Sequence, residues 1–349
     1  MVKIHNHLYP KFHIRKWIEK GGRIYDKEIG QNRDWDIQKD FSLKWYYSLG
    51  EMNSELEDRL SKFESCIAPI IAKIDNAESS ITLSGKELEL LKLYCVLCGS
   101  RQHFTTEVIK SDGSGVYQSN NYLFGLQRTD TQEDAVGLTK LIINDFEKIN
   151  ALGKDMKSNI DPYIFTSETS PSFFTMGLHI AIGRAETDML CISDRVCIIE
   201  NTLDSDFLYS YVPISPRTAL FLVKSKYYLD EEHFEYTKKR FGEKYGGGKP
   251  DPYLSVIMGS FLDYDVEDAL FCSYSTVRSC VHREEVYIKP NEVSIAKVKI
   301  SVLPNMIFKQ FNSILCEDGE KILFCDEQEM KFALLNKMDY RKVTVNWPI

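Results

Sequence analysis

The chain has 349 residues, 43% of them hydrophobic and 27% charged, an ordinary globular balance that excludes a disordered, collagenous or coiled-coil chain. Its 43 Lys and Arg against 51 Asp and Glu leave a formal charge of −8, which argues against strong non-specific DNA binding; a local basic groove for a nucleic-acid substrate, or a protein partner, stays compatible with it. The N-terminus lacks the apolar stretch of a secretory signal, no run is long and apolar enough to span a membrane, and the nine cysteines are scattered in hydrophobic surroundings, so a soluble cytoplasmic protein with reduced thiols is expected.

Residues 1–49 mix aromatic and basic residues, and Arg23-Ile24-Tyr25-Asp26 after Gly21-Gly22 reads as a strand behind a tight turn, so this opening segment is expected to be β-rich. From Glu51 to about Lys73, Met52, Leu56, Leu60, Phe63, Ile67 and Ile70 recur every three or four residues, the period of an amphipathic helix. Ser84 followed by Glu87 has the form of a capping box and predicts a second helix, with Leu88, Leu91, Cys95 and Cys98 on one face, that extends at least to Arg101. Cys95 and Cys98 have no second Cys-x-x-Cys to complete a zinc site and read as core packing. A third helix is predicted over Asp134 to Leu152.

The pattern then changes to short apolar runs, as in buried strands: Tyr163-Ile164-Phe165, Met189 to Ile192, Val196 to Ile199 and Ala219 to Val223. Pro213 and Pro216 make the stretch from Phe207 to Pro216 a structured loop. Glu231 to Tyr245 reads as a charged helix, and Val266 to Val277 as a further helix. Alternation returns at Val286-Tyr287-Ile288, Ala296 to Ile300 and Ile322-Leu323-Phe324. The expected architecture is α+β: a helical layer packed on a mixed or antiparallel sheet in a main domain, 1–285, with a small β-containing C-terminal appendage, 286–349.

Familiar chemical motifs are missing. Gly246-Gly247-Gly248-Lys249-Pro250 lacks the spacing of a phosphate loop, no Gly-x-Gly-x-x-Gly follows a strand, and no Gly-x-Ser-x-Gly offers a nucleophile elbow. The most distinctive stretch is His7-Leu8-Tyr9-Pro10-Lys11-Phe12-His13-Ile14-Arg15-Lys16-Trp17, which with His5 carries three of the seven histidines. A histidine there would serve as a neutral-pH base or metal ligand; alternatively His7 is hydrogen-bonded within the fold while Tyr9, Phe12 and Trp17 anchor the segment in the core.

His7-x-x-Pro10, the aromatic and basic residues after it and Trp17 resemble the opening of an uncharacterised, mostly bacterial domain-of-unknown-function family marked by an N-terminal His-x-x-Pro motif and a later Ser-Asp-x-x motif. Glu57 and Glu64 on the first long helix, the helix ending at Arg101, Ile192-Ser193-Asp194 and Val212-Pro213-Ile214-Ser215-Pro216 are similar in the same order, over about residues 5–285. Members of the resembled family usually read Ser-Asp-Asn-Pro where this chain has Ser193-Asp194-Arg195-Val196. The resemblance supplies an order of motifs and no chemistry.

From the residues themselves, Glu57 and Glu64 lie two helical turns apart beside the apolar stripe, and Arg101 lies near the inward face of its helix, where an unpaired charge would cost several kcal/mol. Arg101 is therefore expected to pair with Glu57 or Glu64. Should His7 and Asp194 converge there, the parts of an acid–base or metal-assisted hydrolytic site for nucleic acid or a nucleotide are present: His7 as base or metal ligand, Asp194 and Glu57 as acids, Arg101 as anion stabiliser, with Glu64, Ser193 and Arg217 binding. In the alternative, a non-catalytic interaction or regulatory protein, the same residues are buried fasteners. The sequence specifies neither cofactor nor metal, and leaves partners and enzymatic status open.

Overall fold

A computed structural model of the chain describes residues 5–36, 40–44, 55–101, 132–151, 171–175, 178–201, 207–224, 295–303 and 305–335. Its first elements are β1 (His5–His7), α1 (Lys11–Ile18), β2 (Arg23–Asp26), β3 (Gln31–Arg33), β4 (Ser42–Lys44), α2 (Glu55–Asn76), β5 (Ser80–Ser84), α3 (Gly85–Ser100), α4 (Gln132–Ala151) and α5 (Pro171–Thr175). Then follow β6 (Leu178–Arg184), β7 (Ile192–Ser193), β8 (Ile198–Asn201), β9 (Phe207–Pro213), β10 (Thr218–Lys224), β11 (Ile295–Val302), α6 (Asn305–Asp318), β12 (Lys321–Phe324) and α7 (Glu327–Leu335). The stretches around Tyr163, Glu231–Tyr245, Gly246–Gly248, Val266–Val277 and Val286 lie outside the described residues.

The fold is α+β. A six-stranded mixed sheet has the order β5-β11-β6-β10-β9-β8, and a four-stranded antiparallel sheet the order β3-β2-β12-β7; β1 and β4 form a separate pair. Residues 180 to 182 and 219 to 222 show why the central strands read as continuous apolar runs. Ile180, Ile182, Leu220 and Leu222 face one core with α1 to α4, whereas Ala181, Ala219 and Phe221 face a second core with Ile307, Phe308, Phe311 and Leu315 of α6. A strand buried on both faces has no polar side to alternate with.

The helical layer follows its sequence signals closely. Leu56, Leu60, Phe63, Ile67, Ile70, Ile71 and Ile74 are the buried stripe of α2, each side chain contributing roughly 1.5–3 kcal/mol before the entropy of ordering is subtracted. The capping box is formed at α3: the Glu87 N–H donates to Ser84 Oγ at 3.2 Å and the Ser84 N–H to Glu87 Oε2 at 2.7 Å. The far end of α2 is closed from outside, because Arg184 of β6 donates to the carbonyls of Ile74 at 2.9 Å and Ala77. The Ile74 carbonyl also accepts the Ala77 N–H at 3.2 Å, and the Ala77 carbonyl lies past the last turn, beyond the reach of any helical N–H.

Three places differ from expectation. The opening segment is not purely β: Pro10 precedes α1, whose buried residues His13, Ile14 and Trp17 recur at helical spacing. The stretch read as a loop contains β9, an inner strand, since Pro213 occupies its last position opposite Ala219 where the strand is ending. Residues expected in an appendage supply inner strands of both sheets. β11 pairs antiparallel with β5 over Ile295 to Lys299 and then parallel with β6 over Ile300 to Val302, and β12 lies between β2 and β7.

Candidate functional site

The distinctive N-terminal stretch works as a set of hydrogen-bond donors aimed at distant main chain. Tyr9 and Trp17, both fully buried, have a polar tip each, and a buried tip needs an acceptor. The Tyr9 hydroxyl lies 2.9 Å from the Ser193 carbonyl and 2.8 Å from that of Val196, sharing its proton between them. The Trp17 indole N–H donates to the Leu190 carbonyl at 2.7 Å. His13 Nε2 is 2.6 Å from the Pro213 carbonyl, which can only accept, so the proton sits on Nε2, leaving Nδ1 to accept from the Tyr94 hydroxyl at 2.5 Å. Burial penalises the imidazolium and outweighs the pull of that carbonyl, holding the pKa of His13 down at about 3. The ring also stacks on Trp17, with centroids 5.4 Å apart. His13 is thus a neutral core residue at physiological pH.

Arg101 completes this stitching from the helical layer. Its side chain is sealed from solvent, Nη1 donating to the Leu8 carbonyl at 2.9 Å and Nη2 lying 3.3 Å from Glu64 Oε1. Of the two expected carboxylates, Glu64 takes the guanidinium; Glu57 lies half-buried on α2, two turns earlier. His7, half-buried, ends β1 opposite Ser42 of β4, one residue before the carbonyl that Arg101 holds. Arg101 and Glu64 therefore flank the His7–Leu8 backbone.

Asp194 belongs to a different set of contacts. Ser193 and Asp194 open a tight turn between β7 and β8, in which Ser193 Oγ accepts the Arg195 N–H at 3.2 Å. Asp194 Oδ1 accepts the Glu320 N–H at 2.8 Å, and the backbone N–H of Asp194 donates to the Lys321 carbonyl at 3.3 Å. Burial raises its pKa from 3.8 to about 6, against the opposing effect of hydrogen bonds from the backbone at Glu320 and Lys321. Val196 has φ +67. Left-handed backbone is a strained conformation for a β-branched residue, and the Tyr9 hydroxyl on its carbonyl helps hold it.

Arg217 is exposed and donates from Nε to the Ala185 carbonyl at 2.8 Å. It follows the Val212-Pro213-Ile214-Ser215-Pro216 stretch, in which Ser215 donates to Asp75 Oδ1 at 2.7 Å while accepting the Thr218 N–H at 3.1 Å. This stretch is therefore the β9–β10 hairpin corner, tied to the end of α2. An open depression of about 750 Å³ lies elsewhere, lined by Lys20, Asp188, Cys325 and the start of α7, and none of the candidate residues lines it. Among the described residues, no group of three His, Cys, Asp or Glu is placed to hold a metal ion, and no helix is long and apolar enough to cross a membrane.

Sequence reasoning anticipated the Arg101–Glu64 pair but missed the roles of Tyr9, His13 and Trp17 as donors to distant carbonyls. The available signal was the crowding of three polar-tipped rings, Tyr9, His13 and Trp17, into one short stretch. Compared with known families, residues 5–328 match the family described as a protein of unknown function, DUF4238, and the chain belongs to it. The match extends through residue 285 into the C-terminal strands. No curated protein matches the chain, and no solved structure does.

Proposed function

We propose that this member of the DUF4238 family is a non-catalytic interaction or regulatory protein, in which the ordered motif residues fasten the N-terminal segment to the sheets. The observation that carries the reading is the state of Arg101: its side chain has no exposure, and its guanidinium engages the Leu8 carbonyl and Glu64. A cation so enclosed is not available to an incoming phosphate. Asp194 and Ser193 support the same reading, since Ser193 accepts a main-chain N–H within its own turn and Asp194 accepts that of Glu320 ahead of β12.

A hydrolytic reading retains one specific support: a buried carboxyl at Asp194 whose pKa, raised to about 6, lies where a general acid works best. Thermal unfolding of wild type, His7→Ala and Arg101→Lys, each with EDTA, with added divalent metals and with nucleotides, separates the two. The structural reading expects Arg101→Lys to lower the melting temperature by several degrees and no additive to shift any of the three proteins. A metal- or nucleotide-induced shift of the wild type that vanishes in His7→Ala, together with hydrolysis of a nucleotide or nucleic acid that Glu57→Gln abolishes without loss of stability, would replace it with the hydrolytic reading.

A further inference from the structure

The thiols of Cys191 and Cys316 stand 3.9 Å apart, with residue exposures of 2% and 1%. Cys191 leads into β7 and Cys316 lies in the last turn of α6, 125 positions apart in the chain. Both sides are pinned. The Cys191 N–H donates to Asn312 Oδ1 of α6 at 3.1 Å, Asn312 Nδ2 donates to the Met189 carbonyl at 2.8 Å, and the Trp17 indole holds Leu190 between them. Two thiols on backbones fixed in this way need to move by roughly 2 Å to reach S–S bonding distance.

The surroundings also select the oxidant. The two thiols are sealed from solvent, so neither bulky nor charged disulfide reagents reach them, and contact with Cys316 and burial hold Cys191 as the thiol until local opening lets it ionise. A small uncharged hydroperoxide can enter during local opening.

We infer that Cys191 and Cys316 form a reversible intramolecular disulfide on exposure to hydroperoxides, locking α6 to the segment that carries the Ser193–Cys197 turn. One sulfur, as thiolate, attacks the terminal peroxide oxygen; the O–O bond breaks, the alkoxide leaves and takes up a proton, and a sulfenic acid remains. The second thiol displaces the sulfenic oxygen as water and forms the S–S bond. Two thiols and one hydroperoxide give one disulfide, one alcohol and one water, and the sulfurs lose the two electrons the peroxide gains. A dithiol reductant restores the starting pair. The inference depends on neither functional reading above.

The test treats the reduced full-length protein with hydrogen peroxide, quenches it, alkylates the remaining free thiols and maps the peptides by mass spectrometry. The expected result is a Cys191–Cys316 linked peptide as the main oxidised species, with a melting temperature raised by roughly 5–10 °C because a long loop of the unfolded chain is closed. Dithiothreitol should reverse both. Cys191→Ser should remove both, with Cys316→Ala as the second variant if the first folds poorly. A dominant link between other cysteines, sulfinic or sulfonic acid without a link, no reaction in the folded protein, or a link without the rise in melting temperature each overturns the inference.

Discussion

Replacing Tyr9 by phenylalanine removes one oxygen from a fully buried ring and leaves its packing on Phe41 and His13 in place, at centroid distances of 5.7 and 5.0 Å. The lost hydroxyl serves two carbonyls. That of Ser193 keeps a donor, the Val196 N–H at 2.9 Å, so the main loss falls on the carbonyl of Val196. A net hydrogen bond contributes about 1 kcal/mol, and a buried carbonyl left without a donor costs about 1–3 kcal/mol. Because Val196 is strained, the freed turn has some capacity to relax, and the expected loss is about 1–2 kcal/mol, a drop in melting temperature of roughly 2–4 °C. Hydrogen exchange localises it: amides of residues 193–197 should exchange faster in Tyr9→Phe, whereas those of α2 should not. A stability change below about 0.3 kcal/mol with unaltered protection in the turn would refute the fastening role of Tyr9.

Asp194→Asn should alter the pH profile in a defined direction. The folded pKa of about 6 lies above the unfolded 3.8, so this carboxyl's favourable contribution is complete below about pH 4 and is lost as pH rises through 6; wild type should lose up to ~3 kcal/mol across that window and the variant should not. Urea titrations at pH 4.5 and 7.5 check this, and a stability gap that is the same at both pH values contradicts it. Gly319→Ala should destabilise by about 1–3 kcal/mol in the same assay, because a Cβ there would meet Ser193 Cβ at 2.6 Å and the Leu315 carbonyl oxygen at 2.7 Å. A chain ending at residue 285 should show no cooperative unfolding by circular dichroism, since it lacks β11 and β12; a sharp transition would mean that residues 1–285 fold alone.

The sequence was most legible where structure is local. The period of α2 and the reciprocal Ser84–Glu87 bonds are written within a few residues of each other, and Arg101 advertised a partner because its position faced inward. What escaped was non-local. The acceptors for Tyr9, His13 and Trp17 are main-chain carbonyls, which every residue carries, so no residue type marks them. α1 was hidden because aromatic residues crowded around a proline read equally well as strand. β9 was hidden by Pro213, a residue tolerated there since it stands at the strand's end. The inner placement of β11 and β12 depends on pairings with strands far earlier in the chain, and period-2 alternation says only that a strand forms, not beside which neighbour.

The change of partner along β11 bears on how the protein is made. β5 and β6 leave the ribosome long before residues 295–302, yet each has β11 as its sheet neighbour. Until the final sixth of the chain is translated, their main-chain N–H and C=O groups on that side await partners, and β2 awaits β12 in the same way. Sheet closure is therefore a late event with high contact order, and the nascent chain carries open strand edges for most of its synthesis. Slow translation of the middle of the message, or depletion of the chaperones that shield nascent strands, should lower the yield of this protein more than that of a helical bundle of equal length.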